Sequence, residues 1–156
     1  MGDIAKTISK VANLDSAIEN ALENEVADVI KNYLVESAYQ NVYETYTPEF
    51  YSRRFGDGGI LDTRSIKITV SGNELIASDD ADWQNLWGDN SYHPAKRLAQ
   101  AIADGDPRFN MDKAGPRPFH EDAKRAAIES GEIERALKAG LARQGIDASD
   151  YTFKFI

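Results

Sequence analysis

The sequence predicts an α+β fold in which a long N-terminal helix and C-terminal helices pack on a small antiparallel β-sheet. Apolar residues follow helical spacing after residue 16, and again in two blocks after residue 120. Between them, Ser65–Val70 alternates between apolar and polar residues, as a half-buried strand does. We expect residues 1–14 to form an N-terminal arm and residues 15–156 a single domain.

The first element is a helix of about 30 residues, roughly 45 Å at 1.5 Å per residue. Ser16 and Glu19 have the spacing of a capping box, which predicts the helix start. The apolar pattern continues to Val42 and Thr45, and Pro48 stops it. Its wide apolar face indicates packing on a sheet or between neighbouring elements.

The sheet is predicted from one hairpin and one later strand. Gly72 and Asn73 suit a tight turn between Ser65–Val70 and a returning strand, Glu74–Ser78. The run Tyr151–Ile156 alternates and is rich in aromatic residues, so we expect it to add to the sheet of its own subunit or of a neighbour.

Three further helices are predicted between these strands. Pro94 and Gly105 suit the start and the end of one helix. A second runs over 121–129, and Gly131 separates it from a third that ends at Gly145.

Composition limits the classes of function. The 156 residues include no cysteine, which excludes disulfides, thiol chemistry and cysteine-ligated metals. The net charge of −8 argues against general affinity for nucleic acid or anionic membranes. Nine acidic and three basic residues lie in residues 1–50, so the acidic charge is concentrated there. No apolar run approaches the roughly 20 residues that span a bilayer, and we expect no membrane association.

No catalytic constellation is evident, and we predict that the chain is not an enzyme and holds no cofactor or metal. His93 and His120 have no companion at metal-ligand spacing. The acidic run that begins at Asp79 lacks the glycine and glutamate of a calcium loop, which favours a strand-ending turn. A hydrolase with a carboxylate pair stays open as the weakest alternative.

Aromatic and arginine residues are interleaved in Tyr46–Phe55, which includes Arg53 and Arg54. Such a run can stack single-stranded nucleic acid. A packed aromatic hinge below the long helix fits the acidic chain better. The loop over 56–59 is glycine-rich and must serve a tight turn or motion.

The segment Ala114–Phe119 predicts a short rigid strut. Two prolines bracket Arg117 and push the residues before them towards extended geometry. The strut aims the following helix, and we expect its arginine to be the most exposed candidate for a subunit contact.

This order of elements, with two short motifs, resembles the neck or tail-completion proteins of long-tailed bacteriophages, also called head–tail joining proteins. A motif like Gly-Leu-Arg-Asp-Ser precedes the first strand in that family, and Gly59–Thr63 stands in its place here. A motif like Arg-Pro-Phe precedes the last helix, and Gly115–Phe119 contains it here. The family's Phe-Gly-Thr segment is absent, which leaves the layer of the neck open.

The resemblance implies a structural virion protein that forms a ring, hexameric or dodecameric, between connector and tail. Its partners would be further copies of itself and the phage connector, portal-stack and tail proteins, with DNA only as passing cargo. It would assemble in the host cytoplasm and reside in the neck of the virion. The candidate interface residues are Arg53, Arg54, Gly58, Gly59, Arg117, Pro118, Phe119, Tyr151, Phe153 and Phe155.

The acidic long helix leaves a second class of function open. An acidic inhibitor or DNA mimic would occupy the nucleic-acid-binding surface of a partner. The fifteen basic residues after position 50 weigh against it, because mimics spread acidic residues over most of their surface.

Overall fold

The structure, a computed structural model, describes residues 13–45, 47, 58–81, 98–105 and 115–156. These residues form a mostly helical α+β protein, as predicted, with one antiparallel hairpin in the middle of the chain. The elements are α1 (residues 13–43), β1 (Ile66–Ser71), β2 (Glu74–Asp79), α2 (Leu98–Asp104), α3 (Phe119–Glu129) and α4 (Glu132–Arg143).

The long N-terminal helix α1 is confirmed, but its predicted start is wrong. Residues 13–16 are already helical, so Ser16 lies inside the helix and does not begin it. A capping box stabilises a helix end by only about 1 kcal/mol, which is too little to stop a chain whose preceding residues accept helical geometry. Residues 13 and 14 of the expected arm thus belong to α1, and residues 1–12 lie outside the described part.

Two turns of α1 are wider than an α-helical turn. Leu22–Val26 and Tyr39–Tyr43 are π-helical, and the Glu44 amide donates to the Tyr39 carbonyl five residues earlier at 2.9 Å. Polar side chains supply further donors at these turns. The Asn24 amide donates to the Asn20 carbonyl at 2.7 Å, and the Thr45 hydroxyl donates to the Asn41 carbonyl at 3.1 Å.

The hairpin is confirmed at its predicted turn. Gly72 has φ of +60°, a left-handed conformation that favours glycine, and β1 and β2 pair on either side of it. A short 3₁₀ turn, Thr63–Ser65, leads into β1.

The prediction that Tyr151–Ile156 joins this sheet is wrong. The only sheet in the described residues has two strands, β1 and β2, and residues 151–156 adopt no regular secondary structure. Alternation defines one apolar face but cannot by itself supply a neighbouring backbone edge. Phe153 and Phe155 are half-buried, so side-chain packing covers part of that face without strand pairing.

The C-terminal helices follow the predicted pattern. Gly131, with φ of +72°, separates α3 from α4, and Ile133, Leu137 and Leu141 are buried on one face of α4. Gly145, with φ of +80°, follows the end of α4 as predicted. Helix α3 begins at Phe119, two residues earlier than predicted, and α2 is described only over Leu98–Asp104.

The chain divides into two compact units. The described part of the first comprises residues 13–30, 68–77 and 127–156. In this unit α4 packs on the first π-helical turn of α1. Polar contacts flank the packing: Arg143 forms an ion pair with Glu25 at 2.7 Å, and the Gln144 amide donates to the Ala17 carbonyl at 2.9 Å.

The described part of the second unit comprises residues 31–45, 47, 58–67, 78–81, 98–105 and 115–126. Its core is drawn from α1, the loop before β1, the end of the hairpin, α2 and the start of α3. The buried members are Ala38, Val42, Ile60, Ala81, Ala99 and Phe119. Four of these six side chains are alanine or valine, which lets the elements approach closely.

Gly140 is the tightest point of the first unit and gives the first prediction. A Cβ there would lie 2.5 Å from the Ala21 Cβ and 2.6 Å from a Glu25 carboxylate oxygen. Gly140→Ala gains helix propensity worth about 1 kcal/mol, but overpacking of this severity costs typically 1–3 kcal/mol. We expect a net loss of unfolding free energy, measured by urea denaturation.

Ala139→Gly, on the exposed side of the same turn, is the propensity control. The double variant Ala21→Gly with Gly140→Ala removes the closest clash and should show a favourable coupling free energy. A Gly140→Ala protein more stable than the wild type would contradict this packing.

Candidate functional site

The turn before β1 is organised by one carboxylate, Asp62. Its two oxygens accept from the Gly58 amide at 2.8 Å and the Arg64 amide at 3.0 Å. The Arg64 guanidinium also donates to both oxygens, at 2.7 Å for the shortest pair. The Asp62 amide donates back to the Gly59 carbonyl at 3.0 Å, and Gly58 takes φ of +81° to complete the loop.

These donors favour the ionised form of Asp62. The Arg64 side chain has the largest effect, followed by the amides of Gly58 and Arg64, and together they hold the pKa of Asp62 well below its usual 3.8. Asp62 therefore stays charged at every physiological pH. This turn, Gly58–Arg64, is called the Asp62 turn below.

A second carboxylate, Asp79, behaves in the opposite way. It is buried at the end of β2 and accepts from the Ala81 amide at 2.9 Å. Burial raises the pKa of Asp79 to about 6, and the negative charge of Asp62 adds to that rise, while the Ala81 amide opposes it. The strand ends at Asp79, within the run that was predicted to end it, and Asp82 lies outside the described residues.

The base of the hairpin is closed beside these carboxylates. The Asp80 amide donates to the Ser65 carbonyl at 2.8 Å, and Lys67 forms an ion pair with Asp80. A backbone hydrogen bond and an ion pair thus join the two ends of the hairpin, directly after the Asp62 turn.

The proline strut lies against the end of α2. The Arg117 amide donates to the Ala103 carbonyl at 3.1 Å. Gly105, with φ of +70°, approaches the strut so closely that a Cβ there would lie 2.4 Å from the Gly115 carbonyl carbon. The Ser37 hydroxyl of α1 donates to the Phe119 carbonyl at 2.8 Å, which holds the start of α3.

The expectation that Arg117 is an exposed contact is wrong. Arg117 is only 7% exposed and Phe119 is fully buried, whereas Pro116 and Pro118 are exposed. The Phe119 amide donates to the Arg117 carbonyl at 2.8 Å, so the chain turns tightly at Pro118 and is not extended there. Arg117 and Phe119 are both buried on either side of this turn.

The remaining predicted interface residues separate into distinct places. Gly59 is buried and Gly58 half-buried in the Asp62 turn, within the second unit. Tyr151 is exposed and Phe153 and Phe155 are half-buried, within the first unit. Arg53 and Arg54, and the rest of the aromatic run after Thr47, lie outside the described residues. The predicted residues that the structure describes therefore belong to two different units.

The described residues contain no cluster of potential metal ligands and one of the two histidines. No group of three or more potential metal ligands occurs within residues 13–45, 58–81, 98–105 and 115–156. His120 stacks on Phe119 at 4.0 Å, and burial lowers its pKa. His93 lies outside the described part. In the same described part, no helix has the length and apolar character needed to cross a bilayer.

The chain is a small, mostly helical α+β protein. The residues that stand out in its sequence hold its turns and helix ends in place through hydrogen bonds and burial. A protein-family model described as YomN matches residues 3–143, and the chain belongs to the YomN family. Neither a curated protein nor a solved structure matches the chain.

Sequence reasoning missed the roles of Asp62, Asp79 and Gly140. Asp62 was visible only as part of a motif, although an aspartate two residues before Arg64 and four after Gly58 can accept from both. Asp79 could be recognised only from its burial. Gly140 looked like an ordinary helix residue. Ala21, which it approaches closely, lies more than a hundred positions earlier in the sequence.

Asp79 makes the stability of the protein depend on pH. Its folded-state pKa, about 6, is raised above the usual 3.8, so the folded protein retains a proton that the unfolded chain has lost. We expect the unfolding free energy to fall by about 2 kcal/mol as pH rises from 4 to 6. Urea denaturation across this range tests it.

Asp79→Asn keeps an acceptor for the Ala81 amide but cannot ionise. This substitution should remove the pH dependence and stabilise the protein at pH 7.5. Asp150→Asn, at an exposed position, should change neither the pH dependence nor the unfolding free energy at pH 7.5. Below pH 3.8 the protonation of Asp62 acts in the opposite sense and destabilises the fold. An unchanged pH profile in Asp79→Asn would contradict the burial of this carboxyl.

Arg117→Ala tests whether the strut arginine is structural. Because its side chain is buried, the substitution should lower the unfolding free energy by about 1–3 kcal/mol. Arg125→Ala makes the same change at an exposed position in α3 and should cost less than about 1 kcal/mol. Equal urea midpoints for the two variants would reject a buried role for Arg117.

Proposed function

We propose that this protein is a structural subunit of the phage head–tail interface, which assembles into a ring between connector and tail. One observation carries the proposal: the two motifs that resemble the neck family meet in a single core. The motif Gly59–Thr63 supplies Ile60 to that core, and the motif Gly115–Phe119 supplies Phe119. Both pack with Ala38 and Val42 of the long helix.

Convergence of this kind supports a shared fold more strongly than the two short motifs do separately. A chance match of a few residues has no reason to place both motifs against the same side chains. Each motif also begins an element of the fold, because the Asp62 turn leads into the hairpin and the strut leads into α3.

Asp62 and Asp79 favour a structural role over hydrolysis. Asp62 is held ionised by an arginine and two amides, and Asp79 is buried behind a backbone hydrogen bond. A glycosidase pair needs one carboxyl free to protonate a substrate and a second facing the reacting carbon. Neither Asp62 nor Asp79 has that freedom.

The acidic charge fits a ring through which DNA passes. A negatively charged lumen repels the DNA backbone and does not retain it. In the proposed ring, the acidic N-terminal third of the chain contributes to that lumen. A ring structure whose lumen is basic would remove this part of the proposal.

The alternative, an acidic inhibitor or DNA mimic, draws less support from α1. Two acidic residues of this helix already have partners within the first unit. Glu25 pairs with Arg143, and the Gly72 amide donates to Glu19 at 3.2 Å. Saturable binding of the monomer to a basic nucleic-acid-binding protein, with DNA as competitor, would favour the inhibitor.

The deciding experiment locates the chain in virus particles. Particles purified from the phage or lysogen that encodes it should contain the chain at a constant copy number by quantitative mass spectrometry. A short epitope tag placed before residue 13 should direct gold label to the junction of head and tail. A tagged major capsid protein is the control for label position, and complete particles that lack the chain would reject the proposal.

A further inference from the structure

We propose that Lys154–Ile156 of one copy, the last part of the segment 151–156, add a short third, parallel strand to the open edge of β2 in a second copy. This inference rests on the proposed ring-forming function and names the contact that joins neighbouring subunits. It concerns only residues of the first unit: Glu74–Ile76 from one copy and Lys154–Ile156 from the other.

The hairpin provides the receiving edge. Within the described residues the sheet has two strands, so β2 pairs with β1 on one side only. An open edge presents a row of amide and carbonyl groups that pair readily with another extended chain. Ile76 lies on this strand and is 54% exposed, although its side chain is apolar.

Residues 151–156 have the pattern of a strand without its pairing. Thr152, Lys154 and Ile156 are exposed, whereas Phe153 and Phe155 are half-buried, so the segment already has an outer and an inner face. Ile156 is 93% exposed. Addition of such a segment to a sheet edge is an established mode of peptide recognition, with backbone bonds for affinity and alternate side chains for specificity.

The side chains select one direction and one register. Glu74 and Ile76 are both exposed and stand two residues apart, as do Lys154 and Ile156. Parallel pairing places Glu74 beside Lys154 and Ile76 beside Ile156, which matches opposite charges and apolar groups together. Antiparallel pairing of the same residues places Ile76 beside Lys154 and leaves both pairs mismatched.

The inner faces agree in the same parallel register. Leu75 of β2 is half-buried, and so is Phe155, which would lie beside it. Both outer and inner faces are therefore continuous across the proposed junction. A one-residue shift would place Phe155 on the outer face beside Ile76 or Glu74 and lose this match.

The contact is head-to-tail, because each copy offers a strand edge at one place and a segment at another. A heterologous contact of this kind generates a closed ring when its rotation closes. The edge at Glu74–Ile76 and the segment Lys154–Ile156 are used once each per subunit in a complete ring.

The absence of cysteine makes cross-linking a direct test. Two full-length chains with tags of different size, one carrying Ile76→Cys and the other Ile156→Cys, are mixed and oxidised. Each chain has a single thiol, so a mixed dimer on a non-reducing gel reports a contact between copies. The register control pairs Ile76→Cys with Phe155→Cys, whose side chain would lie on the opposite face.

The expected result is a yield of mixed dimer about ten-fold above the register control, because disulfides need Cα atoms within about 7 Å and converging side chains. Equal yields, or no mixed dimer at the highest protein concentration, would overturn the proposal. Cross-linking of Ile76→Cys in virus particles to a different protein would overturn it as well.

Charge reversal provides an independent readout. Glu74→Lys and Lys154→Glu should each raise the dissociation constant between copies by up to about five-fold, and the double variant should restore it. Sedimentation equilibrium measures these constants, and circular dichroism confirms that each variant folds. Single variants without effect, or a double variant no tighter than the singles, would contradict the register.

The two proposals can fail separately. A chain that is absent from particles but forms the Ile76–Ile156 cross-link rejects the phage role and leaves the strand contact intact. A chain that is labelled at the neck but forms no such cross-link rejects only the strand contact.

Discussion

The burial of Phe119 is the constraint on which the second unit depends. Its ring is fully enclosed, its carbonyl accepts from Ser37 of α1, and its neighbours in the core come from the Asp62 turn, α1 and α2. Burial of a phenylalanine side chain stabilises a fold by roughly 1.5–3 kcal/mol. Because Phe119 is also the first residue of α3, the same contact fixes where that helix begins.

The residues around Phe119 explain why the conspicuous sequence motifs are structural. Proline before Phe119 sets the chain direction, and Gly105 lets the end of α2 approach the strut at a distance that any other residue would prevent. Asp62 holds the opposite side of the core by fastening the loop that carries Ile60. Asp62, Gly105 and Pro118 thus all support the packing around Phe119.

Sequence reasoning succeeded where the signal is local. The length of α1, the turn at Gly72 and the break at Gly131 all follow from periodicity or from glycine conformation over a few residues. It failed where the outcome depends on a distant partner. Whether Arg117 faces inward depends on α2, and whether residues 151–156 pair depends on where the chain places them relative to a strand edge, and neither is encoded in those segments themselves.

For the candidate site, too, the sequence predicted local features and missed those that depend on distant residues. The motifs that contain Asp62 and Phe119 could be selected from the sequence, because both resemble motifs of the neck family. The protonation states of the carboxylates could not be predicted from the sequence. Asp62 and Asp79 are the same residue type, and only their surroundings move their pKa values in opposite directions. An arginine and two amides donate to Asp62 and lower its pKa, whereas burial raises the pKa of Asp79.

The two π-helical turns of α1 have a consequence for how this helix tolerates change in length. A π-helical turn holds one residue more than the surrounding helix, so it behaves as an accommodated insertion. Removal of one residue from Leu22–Val26 would restore ordinary spacing there and leave the faces before and after it in place, whereas removal of one residue from an α-helical turn would rotate everything beyond it by about 100°. A helix with such turns can therefore gain or lose a single residue while both of its ends stay in place, and α1 contains two of them.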